Sequence, residues 1–148
     1  MENNIIKNVK ITPAVVPSDG VAASTILYGE ILDMANFESV LMVVTFGVIT
    51  AGAVTTIKAQ QDSAVGGGTM ADLLGSSQTV AADADDETFY IDLVKPIERY
   101  VRLAIPRATQ NAVVSSATYI QYNPRNKPTT QASTVSGELL VEPVEGTA

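Results

Sequence analysis

Apolar and polar positions alternate with a period of two through much of the chain. From Thr88 to Val94, Phe89, Ile91 and Leu93 face one way, and Tyr90 and Asp92 the other. From Arg99 to Arg107, Val101, Leu103 and Ile105 oppose Tyr100 and Arg102. This is the period of a pleated strand with one buried face, and it puts Arg102 on a solvent or partner face. Ala112 to Tyr122 (AVVSSATYIQY) reads as the last clear strand. Ser39 to Phe46 carries an unbroken VLMVV, which predicts a central strand buried on both faces. Asn36-Phe37-Glu38 reads as a turn before it and Gly47 to Gly52 as a turn after it. Strands 39–46 and 53–61 are therefore expected to pair as a hairpin. Ser24 to Met34 is compatible with strand or helix, and Thr25, Ile26 and Tyr28 ahead of Gly29 favour strand. Ile5 to Val16 offers one or two short strands, stopped by Pro13, Pro17 and the SDG turn at 18–20.

Between these strands, residues 62–82 form a long excursion with a glycine triplet at 66–68. There Thr69 with Asp72 three residues later has the spacing of a capping box, which predicts one helical turn over 69–74. Beyond Tyr122, NPRNKPTTQASTVSG has two prolines and no periodicity and should be an extended arm. Its late apolar patch, Leu139 to Val141, would pair as an edge strand or dock on a neighbour. Seven or eight strands without a sustained helix predict an all-β chain. The expected fold is an antiparallel β-sandwich of jelly-roll type with extended terminal arms. The expected division is an N-terminal arm and short strand (1–23), a sandwich core (24–122) and a C-terminal arm (123–148).

Composition narrows the chemistry. With 148 residues, one ordinary domain can bury enough surface to fold without staples. There is no cysteine and no histidine. This removes disulfides, thiolate metal sites, Ser-His-Asp and Cys-His catalysis, and leaves only carboxylate, Ser-Lys or Mg-dependent chemistry. The net charge of −7 argues against nucleic acid as a partner. The charge is uneven: Lys95 to Lys127 holds six basic residues against one acid, a local +5, so the remainder holds −12. The opening MENNIIKNVKI has no secretory signal pattern, and export by that route is not expected. Residues 39–57 carry no charge for nineteen positions, the length of a membrane helix, but their glycines and threonines favour two strands and a turn. No membrane partner is expected.

Four carboxylates in DADDE, Asp83, Asp85, Asp86 and Glu87, are weak candidates for a hard cation such as Ca2+ or Mg2+. An EF-hand loop starting at Asp83 would need Gly at its sixth place and Glu at its twelfth, where the chain has Thr88 and Val94. The other reading is a solvated acidic turn before a strand. The triplet Gly66-Gly67-Gly68 lacks the Lys-Ser/Thr of a phosphate loop. Arg99, Arg102 and Arg107 form either a carboxylate-binding face or a strand whose basic positions pair with neighbouring acids such as Asp92. Tyr100, Tyr119 and Tyr122 are read as core edges or interface contacts. No catalytic residue, metal or cofactor is expected.

The order of segments carries a resemblance. DMANFES leads into an apolar strand, then come TAGAVTTIKAQQD, a Gly-rich loop, DDETFYIDLVKPIERYVRLAIPRAT, AVVSSATYIQYNPRNKP and a final EGTA. Over residues 24–148, and most specifically in KPIERYVRLAI and NPRNKP, the chain resembles small virion proteins of tailed bacteriophages, of the head decoration or cement type. That resemblance implies a non-enzymatic structural protein, made in the host cytoplasm, which binds the outer surface of the capsid. The implied partners are the major capsid protein and further copies of itself, as a dimer or trimer. Interface candidates are Arg99, Arg102, Arg107, Tyr122, Arg125, Lys127, Leu139 and Leu140. The alternatives are a tail or head-to-tail component, or a metal- or carbohydrate-binding β-sandwich module.

Overall fold

The computed structural model describes residues 4–16, 23–142 and 144–146. The SDG turn at 18–20 lies outside them. After a 3-10 turn at Ile5–Lys7 come eleven strand segments: β1 Lys10–Val15, β2 Leu27–Tyr28, β3 Leu32–Asp33, β4 Phe37–Ile49, β5 Val54–Asp62, β6 Ala71–Asp72, β7 Gln78–Val80, β8 Thr88–Val94, β9 Tyr100–Ile105, β10 Arg107–Ala108 and β11 Ala112–Pro124. They build two antiparallel sheets, an all-β sandwich.

One sheet has the order β1-β11-β4-β8. In the other, β5 is flanked on one side by β6 and β7 and on the other by β9 and β10, and β9 carries β2 and β3 on its far edge. β6 and β7 lie along one edge of β5 as a single interrupted strand, as do β9 and β10 around Pro106, whose carbonyl accepts from the Thr56 N–H at 3.0 Å. Counted this way the described residues hold eight strands, four per sheet. The pairing is nested: β1 with β11, β2 and β3 with β9, β4 with β8, β5 with β6 and β7.

The core follows from the alternation. Val40, Met42, Val44 and Phe46 of β4 point inward and meet Ile57 and Ala59 of β5, Val101, Leu103 and Ile105 of β9, Ile91 of β8 and Tyr119 of β11. Phe46 and Phe89 meet edge to face at 5.8 Å. On the outer side of β4, Leu41 and Val43 are only half-buried, so burial on both faces is incomplete.

Several local expectations are corrected. The uncharged stretch 39–57 is strand, turn and strand, but β4 and β5 do not pair: they lie in different sheets. Both edges of each are taken by other segments, β4 by β11 and β8, β5 by β9 and β7. The four-residue turn closed by the Ala53 N–H on the Thr50 carbonyl (2.9 Å), with Gly52 at φ +84°, carries the chain across the sandwich. Phe37 and Glu38 belong to β4 and not to a turn. Thr69 does not cap a helix. Its hydroxyl donates to Asp62 Oδ2 (2.7 Å), and 71–72 pair with β5. Ser24 to Met34 is extended, holding β2 and β3 with a break at Gly29. No described helix is long and apolar enough to cross a membrane.

Candidate functional site

The acidic run lies where β8 begins. Ala84 is buried and fixes the turn, its N–H donating to the Ala81 carbonyl. Asp85 Oδ1 accepts from the Ile49 N–H at 2.7 Å, so this carboxylate closes the end of β4. Asp86 adopts φ 59°, a left-handed position that Asp tolerates better than most residues. The Glu87 carbonyl accepts from the Phe46 N–H at 3.0 Å, while Asp83, Asp86 and Glu87 keep exposed side chains. Among the described residues no three Asp, Glu, His or Cys side chains converge as metal ligands.

The three arginines of the basic strand separate into three roles. Arg99 makes two parallel bonds to Asp33, Nε to Oδ1 at 2.8 Å and Nη2 to Oδ2 at 2.7 Å. This holds the Asp33 carboxyl below its usual range and the guanidinium above its own. Arg102 stacks on the Tyr28 ring at 4.1 Å and donates to Gln60 Oε1 at 2.7 Å. Gln60 in turn donates to Asp72, which also takes the Lys58 ammonium at 2.6 Å. The outer face of the second sheet is thus laced by a polar network. Gly67, at φ +64°, folds above it, where a Cβ would run into the Ile31 side chain. Arg107, expected beside the other two, is instead 7% exposed. It donates to the Thr25 and Ala112 carbonyls at 2.9 and 3.0 Å, and burial lowers its pKa. It joins segments of the fold and presents no face to a partner.

Asp92 does not pair with an arginine. It accepts from the Tyr122 hydroxyl at 2.6 Å, which pushes the Tyr122 pKa up. That bond crosses the outer face of the first sheet, where Ile11, Ile120 and Leu41 form one half-buried apolar row. Pro13, Thr118, Val43 and the exposed Tyr90 form the next. Tyr28 and Tyr90 lie on different sheets and make no common aromatic platform.

At the opposite end of the sandwich from the acidic turn is an open cleft of about 580 Å3, with Lys95, Arg99 and Arg125 but also Glu38 and Glu98 on its walls. Lys127 is exposed beside the N-terminal turn. Leu139 and Leu140 are exposed, as are Val141 and Val144. No protein-family model matches the chain, and a search of the curated proteins finds no significant relative.

Sequence reasoning did not reach Asp33, Gln60 or Asp72 as partners of the basic strand. Their only signal is register: Gln60 lies opposite both Arg102 and Asp72, and Asp33 opposite Tyr100, next to Arg99.

Proposed function

We propose that the chain is a structural protein of a tailed-bacteriophage virion, of the head decoration or cement type, folded as a jelly roll and attached to the capsid exterior. The observation that carries this reading is the nested order of eight strands in two four-stranded sheets. A long hairpin rolled into two sheets is the arrangement of jelly rolls, which recur in viral shells. The surface suits adhesion more than chemistry. The apolar rows on the first sheet, the exposed Leu139, Leu140, Val141 and Val144, and the exposed cations Arg125 and Lys127 offer several separate weak contacts. Many copies on a lattice make weak contacts sufficient, because each bound contact raises the effective concentration of the next.

The test is cosedimentation of the purified protein with expanded capsids, together with capsid melting with and without it. Binding and a raised capsid melting temperature are expected. Absence of binding at micromolar protein would end this reading.

A further inference from the structure

The sandwich has four sheet edges, and three are blunted. The free edge of β1 is covered by the C-terminal segment: the Ile11 N–H donates to Gln131 Oε1 at 2.9 Å, and the Val9 carbonyl accepts from Thr129 and Gln131 at 2.7 Å each. The edges of the second sheet are broken into β2 and β3 on one side and β6 and β7 on the other, pieces of two or three residues. Short or covered edges are how proteins avoid pairing with other chains. β8 is different, with seven regular residues on the edge of the first sheet.

The register shows which groups it offers. The Phe46 N–H bonds the Glu87 carbonyl and the Lys95 N–H the Glu38 carbonyl, so odd-numbered residues direct their backbone groups to β4. Thr88, Tyr90, Asp92 and Val94 therefore direct theirs outward. Among the described residues their N–H groups find no acceptor, and of their carbonyls only that of Tyr90 is engaged, by Gln78 Nε2 at 2.7 Å. Tyr90 and Val94 are also 62% and 56% exposed.

We infer that this edge is completed by β8 of a second copy, antiparallel about a two-fold axis at Ile91. The charges at the two ends of β8 choose this occupant and this direction. Asp83, Asp85, Asp86 and Glu87 lie before the strand and Lys95 just after it. An antiparallel copy in this register sets Glu87 against the partner's Lys95 at both ends. It also keeps the two acidic runs roughly 27 Å apart, eight residues at about 3.4 Å each. Parallel addition would instead stack acid on acid. In the antiparallel dimer Thr88 faces the partner's Val94, and Tyr90 the partner's Asp92. The two first sheets become one sheet of eight strands, with the Gln78 side chain released from the Tyr90 carbonyl. Such a contact is isologous and closes after two copies, so it makes no fibre.

The test is sedimentation equilibrium with amide hydrogen exchange on the free protein, which separates it from capsid attachment. A dimer is expected, with protection of the Thr88, Tyr90, Asp92 and Val94 amides rising with concentration. Asp92→Pro removes an outward N–H without touching the β4 ladder, and should weaken the dimer at least tenfold. Lys95→Glu and Glu87→Lys should each do the same, and the double variant Lys95→Glu/Glu87→Lys should restore it. A protein that stays monomeric at hundreds of micromolar overturns the inference, as does a dimer insensitive to the three single variants, or edge amides protected only when capsid is added.

Discussion

Tyr119 is the residue on which both sheets meet. It belongs to β11, is fully buried, accepts from the Leu103 N–H of the other sheet at 2.8 Å and donates to the Glu30 carbonyl at 3.0 Å. Burial pushes its pKa up, so it stays a neutral phenol that can fill both roles. Gly29 passes directly over that hydroxyl: a Cβ there would collide with the phenolic oxygen and lie 3.3 Å from the Ala14 carbonyl. Tyr119→Phe should lower unfolding free energy by roughly 1–3 kcal/mol, the cost of leaving a buried N–H and carbonyl unpaired. Gly29→Ala should cost about the same through overpacking. Chemical denaturation of both variants measures this, and an unchanged midpoint in both would show that the sheets do not depend on this contact. Neither role was legible in the sequence, where Tyr119 resembles the other tyrosines and Gly29 an ordinary strand break. A phenol's partner is set by packing between residues ninety positions apart, and no local pattern encodes it. Arg107 was misread for the same reason, since its acceptors are backbone carbonyls that any sequence supplies.

At the scale of elements, alternation was the reliable guide. β8 and β9 fall where the period of two predicts, with Ile91, Val101, Leu103 and Ile105 inside. What alternation cannot supply is the partner: β4 and β5 are adjacent in sequence and well suited to a hairpin, yet other strands claim both edges of each. The boundary of the C-terminal arm also moves. β11 runs to Pro124, Arg125 bonds the Asn36 carbonyl, and Thr129 and Gln131 bind Ile6, Val9 and Ile11. The first part of the arm is thus structural. Removal of residues 125–148 should lower Tm by roughly 5–10 °C, taking a loss of about 2–3 kcal/mol at about 2–4 °C per kcal/mol. Removal of 137–148 should change it by less than about 1 °C, because the described residues among them are all exposed. Calorimetry on the two truncations tests this, and equal effects would contradict it.

For the whole molecule, charge and topology set the behaviour. Asp33, Asp62 and Asp72 are held below the usual carboxyl range: Asp33 chiefly by hydrogen bonds from Arg99, Asp62 by the Ala64 N–H and Thr69 hydroxyl, Asp72 by Lys58 and Gln60. A lowered folded-state pKa gives stability that is present above the ordinary value of about 4 and is lost as pH falls below it. With no histidine or cysteine, no side chain has an ordinary pKa between 5 and 8. Urea midpoints should therefore be flat from pH 6 to 8 and decline below about pH 4. A step near neutrality would contradict this assignment. The all-β class was legible because the longer strands write their own pattern, whereas β6 and β7 lie in the excursion whose spacing suggests a helical turn, and Leu139 to Val141 forms no strand. The nested order was not legible, because it is a property of pairs.

That nesting also governs how the chain can be made. β5 and its partners β6 and β7 are close in sequence and can form early, whereas Lys10 pairs with Gln121 and Ile11 with Ile120, more than a hundred residues later. On a ribosome, β1 must wait without a partner until β11 has emerged, so the first sheet closes last. β1 is then among the last strands to gain shelter, and a chaperone or protease meeting the nascent chain would find it open throughout that interval.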